Sequence, residues 1–165
     1  MRALKPIPPP KYVNDRHKAS VLLLRTSSII NEHVRRFLEP YDLTQQQFNV
    51  LRILRRARPE ALSTGDVKAR MIDTTCDISR LVARMEKKGY IEKQPSEADR
   101  RLVELFITDR GLALLSQIDA KMNEIHNYLD GLPDEDISTL NGCLESLLVS
   151  KGVKSERING QVKAQ

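Results

Sequence analysis

Apolar residues recur at helical spacing along most of the chain and give way to strict alternation only once. Leu23, Ile30, Val34 and Phe37 fall on one stripe, which predicts a first helix over residues 14–39 that ends at Pro40. A second helix starts at Thr44, where Thr44 and Gln47 have the spacing of a capping box, and Phe48, Leu51 and Leu54 form its buried face. Pro59 closes the turn that follows. Ser63 and Asp66 cap a third helix of about two turns, with Val67 and Met71 as its apolar contacts. After a break at Ile72–Asp73, Ile78, Leu81, Val82 and Met85 lie at i, i+3, i+4 and i+7, so a strongly amphipathic helix is expected within Asp73–Lys88, with Gly89 at its C′ position.

The period then changes to two. Tyr90–Gln94 and Leu102–Ile107 read as short strands joined by the turn-rich Pro95–Asp99 segment. Beyond them, Leu112, Leu115, Ile118, Met122, Ile125 and Leu129 make a seam spaced near 3.5 residues, which predicts one long helix from Asp109 to about Asp130. Ile137, Leu140, Leu144 and Leu147 repeat the seam in a last helix over Asp134–Val149, whose start is acidic, as a helix N-terminus favours. The Pro-rich residues 1–13 read as an extended arm and residues 150–165 as a polar tail.

Helix, short helix, tight turn, helix and β-hairpin follow one another in the middle of the chain, which is the order of a winged helix-turn-helix. The predicted fold class is mainly α with a small β-wing. One domain is expected over 14–149, with the winged helix-turn-helix at 44–108 between outer helices 14–39 and 109–149. The apolar stripes of those outer helices exceed what a small winged lobe can cover, so they are read as a dimer module.

Leu62-Ser-Thr-Gly-Asp-Val67, Ile78-Ser-Arg-Leu-Val-Ala-Arg-Met-Glu-Lys-Lys-Gly-Tyr-Ile91, and Asp99-Arg-Arg101 followed by Leu105-Phe-Ile-Thr-Asp-Arg-Gly111 resemble the helix-turn-helix entry, recognition helix and wing signature of the MarR family of bacterial regulators. The wing signature is D-x-R followed by L-T-x-x-G, and Ile107 stands where that pattern usually has Leu. The resemblance spans roughly residues 14–149. It implies a homodimer on a palindromic double-stranded DNA operator, pairing through its terminal helices. It also implies that Arg101 enters the minor groove with Asp99 holding it, and that a small aromatic or anionic effector binds between the dimer module and the DNA lobes. His17, Arg25, His33 and Arg52 lie on the elements that would line such a pocket, and each reads equally as a surface residue.

Charge is distributed in keeping with this picture. Lys and Arg exceed Asp and Glu by 8 to 4 in residues 1–43 and by 14 to 10 in 44–111, but residues 112–165 hold 5 against 8, so the first two-thirds is basic and the rest acidic. On the fourth helix the side opposite the apolar stripe holds Cys76, Arg80, Ala83 and Lys87, flanked by Ser79 and Arg84. Arg80 has the geometry to fork onto a guanine edge, Ala83 lets the helix sit deep, and Arg84 and Lys87 suit phosphates. Asp77 reads first as N3 of a capping box under Thr74 and second as an acceptor for a cytosine amino group. Thr74, Thr75 and Arg100 are further candidates for the DNA backbone.

No nucleotide-binding, hydrolase or metalloprotease motif is present, so no enzyme, cofactor or metal is expected. Cys76 and Cys143 are far apart without ligand spacing, which fits a reducing cytoplasm and no structural zinc. The longest apolar run, Val21–Leu24, is too short to span a bilayer. A single-stranded nucleic-acid binder would need stacking aromatics, yet aromatics are only 4% of residues. Two alternatives stay open: a winged-helix module that binds protein instead of DNA, and thiol-based redox sensing through Cys76 at a helix N-terminus.

Overall fold

A computed structural model describes residues 11–73, 75–96 and 103–153. Parts of the expected arm and tail fall outside this set, as do Thr74, Asp99, Arg100 and Arg101. The described residues form seven helices and three short strands: α1 (Asp15–Leu38), α2 (Gln45–Ala57), β1 (Leu62–Ser63), α3 (Thr64–Arg70), α4 (Ile78–Lys87), β2 (Ile91–Pro95), β3 (Val103–Ile107), α5 (Asp109–Asp119), α6 (Met122–His126) and α7 (Asp134–Ser150). This is the mainly helical winged helix-turn-helix expected from the pattern.

The boundaries follow from local chemistry. Asn14 caps α1 by accepting from the His17 amide at 2.9 Å. Both capping boxes form: Thr44 with Gln47 on α2, and Ser63 with Asp66 on α3. The first of them explains a buried polar side chain, since Gln47 is almost inaccessible yet accepts from the Thr44 amide at 2.9 Å.

α2 is the hub. Phe48, Val50, Leu51, Ile53 and Leu54 are buried, and α2 packs against α1, α3, α4, α5 and β3. Leu51, Val67, Met85, Ile91, Leu105 and Leu115 meet in the centre with no more than a trace of exposure. Each such side chain contributes about 1.5–3 kcal/mol of burial, so truncating one to alanine costs about 2–5 kcal/mol.

The sheet is antiparallel in the order β1-β3-β2, with Leu62 opposite Leu105 and Ile91 opposite Ile107. Leu105 and Ile107 enter the core and Val103 is exposed. β1 adds a third strand to the expected hairpin.

Two helix predictions need correction. The seam from Leu112 to Leu129 does not lie on one helix: α5 ends at Asp119, α6 starts at Met122, and a single 3₁₀ turn covers Asn127–Leu129. The spacing from Ile118 through Met122 to Ile125 carries across the break, so the buried face survives although the helix does not. The amphipathic helix within Asp73–Lys88 is shorter than that window, beginning only at Ile78, with Asp77 as its N-cap.

Candidate nucleic-acid interface

α4 is held at both ends. At its start Asp77 accepts from the Arg80 amide through Oδ1 at 3.2 Å and pairs through Oδ2 with Arg80 Nε at 3.1 Å. The structural reading of Asp77 therefore stands, but Asp77 is the cap itself and not N3 beneath Thr74. Acceptance from a cytosine amino group would have to share these oxygens with Arg80. At the other end Gly89 adopts φ +73. Its amide reaches the Glu86 carbonyl at 2.8 Å and the Tyr90 amide reaches Met85 at 3.1 Å, the paired bonds of a Schellman ending.

Ties to the rest of the lobe fix the direction of α4. Lys88 Nζ donates to the Asp42 carbonyl at 2.6 Å and to its carboxylate at 2.7 Å. Asp42 itself sits at φ 50, a left-handed conformation that Asp tolerates better than most residues. Lys93 on β2 pairs with Glu86 at 2.7 Å, joining wing to helix. Thr108 caps α5 by accepting from the Gly111 amide at 3.1 Å, donates its hydroxyl to the Gly89 carbonyl at 2.7 Å, and gives its own amide to the Tyr90 carbonyl at 3.1 Å. This accounts physically for the Thr-x-x-Gly spacing: the Thr joins three elements, and the Gly leaves room for the Tyr90 carbonyl.

Ile78, Leu81, Val82 and Met85 are buried, so the opposite face of α4 is free. Ser79, Arg80, Ala83, Arg84 and Lys87 are all exposed. Arg80 and Lys87 flank the small Ala83 on the outward face. Arg84 is turned to one side, where with Lys88 it lines a cleft of about 970 Å³ between α1, the start of α2 and the Met71–Asp73 turn. Thr75 is exposed, but its hydroxyl donates to Asp73 Oδ1 at 2.6 Å, and that bond must open before it can donate to a phosphate. The same Thr75 hydroxyl and amide hold the Asp73 carboxyl below its usual range.

Cys76 departs from expectation. It precedes α4, is half-buried, and sets Sγ 3.6 Å from Met71 Sδ against the core. It does not join Arg80 and Lys87 on the outward face, which removes the placement on which redox control of DNA contact rested.

Of the four effector candidates, His33 and Arg52 both reach α6, at Glu124 and Met122, while His17 and Arg25 stand elsewhere on α1. His17 and Arg25 are exposed on α1, and His17 Nδ1 accepts from the Val13 amide at 3.2 Å. His33 Nε2 lies 2.9 Å from the Glu124 carbonyl, with its ring edge-on to Tyr128. Arg52 stacks over Phe48 at 5.6 Å, and its guanidinium is lowered from its ordinary range by burial first and then by Arg56 and Arg55. None of the four lines the cleft, whose lining residues, among them Ser27, Asn31, Arg35, Thr44, Gln46 and Asn49, are mostly polar in type although more of the exposed wall is apolar, and which was not signalled by the sequence pattern. Among the described residues, no helix is long and apolar enough to cross a membrane.

Comparison with known proteins agrees with this geometry. Residues 41–102 match the family model described as the MarR family. The HTH-type transcriptional regulator PecS of Dickeya dadantii is 36% identical over 98 residues, which span 58% of this chain and 58% of PecS. A mutant MarR from E. coli complexed with operator DNA superposes with a TM-score of 0.74 at 24% identity, covering 84% of this chain and 99% of that one. The S. aureus MepR–DNA complex gives 0.72 at 23% identity, covering 79% and 96%. The two structural likenesses establish the fold, and the relatives found by sequence are regulators, not enzymes. With helix-turn-helix, wing and outer helices in this order, the chain is similar to MarR-family regulators, in sequence over residues 41–102 and in fold over most of its length.

Proposed function

We propose that the protein is a sequence-specific double-stranded DNA-binding transcriptional regulator, a repressor that acts as a homodimer on a palindromic operator. The observation that carries the reading is α4. Its outward face presents Arg80, Ala83 and Lys87 on a helix braced at both ends, and its inward face is fully committed to the core. Arg80 reads a guanine edge in the major groove, with Ser79 and the gap at Ala83 beside it on the base-facing side, while Arg84 and Lys87 contact the phosphate backbone. Thr74, Thr75 and Arg100 are assigned to the backbone as well, and Arg101, steadied by Asp99, to the minor groove. The DNA-bound MarR and MepR structures support the reading, because their backbones match this one while bound to DNA.

The dimer is supported by what the single chain leaves uncovered. α7 buries no residue although Ile137, Leu140, Leu144 and Leu147 repeat along it, and Leu22, Leu24 and Ile29 of α1 and Leu148 of α7 are exposed as well. A two-fold axis through these helices presents two copies of α4 about one DNA turn apart. The cleft beside Arg84 and Lys88 offers an effector a direct hold on the flank of α4, so that a bound small molecule shifts the population of DNA-competent dimers.

Fluorescence anisotropy with a labelled duplex at increasing salt tests the DNA reading. Two protomers making at least four phosphate contacts predict a slope of log K against log salt of about −4 or steeper. A slope near zero on every duplex, with protein partners still captured, would favour a protein-interaction module instead.

A further inference from the structure

We infer that Asp77 is a positioning residue for base readout: its carboxylate orients the Arg80 guanidinium in advance, so that the fork reaches the groove already aimed. This rests on the reading of Arg80 given above and deepens it. A carboxylate on the DNA side of a helix is otherwise a liability, because phosphates repel it. Here it has two simultaneous contacts on one residue. Oδ1 accepts from the Arg80 amide at 3.2 Å, and Oδ2 lies 3.1 Å from Nε in an ion pair. The second contact engages the inner nitrogen of the guanidinium and leaves the terminal Nη1 and Nη2 fork for another partner. That fork is the edge that matches the O6 and N7 acceptors of guanine.

The pair is too exposed to serve stability. Arg80 and Asp77 side chains are 80% and 56% accessible, a setting in which ion pairs contribute little. What the pair supplies is order. An unrestrained arginine gives up its rotamer freedom on reaching a base, and a tethered one has given up part of it beforehand. The carboxylate also masks the guanidinium charge from the nearest phosphates, which would otherwise draw it off the base edge.

Capping and tethering can be separated. Asp77→Ser keeps a short acceptor that reaches the Arg80 amide, but it cannot reach Nε. Asp77→Asn also caps, and it turns either a neutral oxygen or an amide toward the guanidinium. Each variant is assayed as the full-length dimer on a duplex selected by the wild type from a random pool, and on the same duplex with 7-deazaguanine at the guanine contacted by Arg80. The ratio of the two affinities is the readout, because a loss of fold or of general DNA affinity moves both duplexes alike. Both variants should keep the wild-type melting temperature within a few degrees and lose about threefold to tenfold of the ratio. Arg80→Ala should abolish the ratio. If Arg80→Ala abolishes it while Asp77→Ser and Asp77→Asn keep it at the wild-type value, the positioning role is overturned and base reading by Arg80 stands. If Arg80→Ala leaves the ratio unchanged, base reading by Arg80 itself fails, and the positioning role fails with it.

Discussion

Replacing Gly111 by alanine drives a methyl group into the Tyr90 carbonyl oxygen and to within 2.8 Å of Ile107 Cγ1. The first neighbour is backbone and cannot rotate away. Either α5 or the end of α4 must move, and the Thr108 amide bond to that same carbonyl, now 3.1 Å, must stretch. Overpacking of this kind costs about 1–3 kcal/mol, and the weakened hydrogen bond adds about 1 kcal/mol. For a chain of 165 residues a loss of about 2–4 kcal/mol lowers Tm by roughly 5–15 °C. Operator affinity should fall as well, because α4, the wing and α5 meet at Thr108. Gly142→Ala is the matched control. Gly142 lies inside α7, away from its apolar stripe, and the added methyl meets nothing within 4 Å. Removing a flexible glycine there should stabilise by about 0.5–1 kcal/mol. Thermal melts of both variants by circular dichroism decide the matter. A Gly111→Ala protein that melts within about 2 °C of wild type would refute the close-approach account of Thr-x-x-Gly.

Further outcomes follow from the outer helices, the wing and α1. Leu140→Glu combined with Leu147→Glu places charge on the uncovered face of α7, so the chain should sediment as an 18.8 kDa monomer and lose operator affinity by about 100-fold or more; a stable dimer would contradict the assigned interface. Arg101→Ala should weaken operator binding with fold and dimer intact, and unchanged affinity at moderate salt would remove its minor-groove role. The Arg35 and Arg36 guanidinium groups hold the Glu32 carboxyl at about 2, below its ordinary 4.5. A carboxyl lowered in the folded state stabilises above its unfolded value and loses that effect as pH falls from there through about 2. Because these side chains are largely exposed, wild type should melt only slightly above Glu32→Gln at neutral pH, with the small gap closing across that acid window; a gap that persists at the acid end would count against the ion pairs.

Much of the fold was legible because it is locally encoded. Thr44 with Gln47 and Ser63 with Asp66 specify their helix starts through contacts only three residues long, and both boxes formed. The stripe Ile78, Leu81, Val82 and Met85 fixed which side of α4 faces inward, and with it the outward side. Other features were hidden for definite reasons. β1 has two residues, too few to express a period of two, and it exists because Leu62 and Ser63 meet Leu105 and Glu104 from far along the chain. The break between α5 and α6 leaves the apolar spacing intact and has no Pro or Gly to mark it. Thr74 and Asp77 are both good N-caps by residue type, and it is the Asp77 contact with the Arg80 amide that starts the helix at Ile78. Cys76 fell on the outward face by a helical projection that does not apply, since the helix has not yet begun there. The cleft was not legible, because a wall assembled from α1, α2 and a turn has no signature in any one segment.

Selection of duplexes from a random pool by the full-length protein tests the central claim most directly. Enrichment of an inverted repeat whose half-sites are centred about one helical turn apart, with a guanine whose replacement is felt by wild type but not by Arg80→Ala, is the predicted result. A pool that stays random after repeated rounds at low salt would contradict the assignment of α4 as a reading helix.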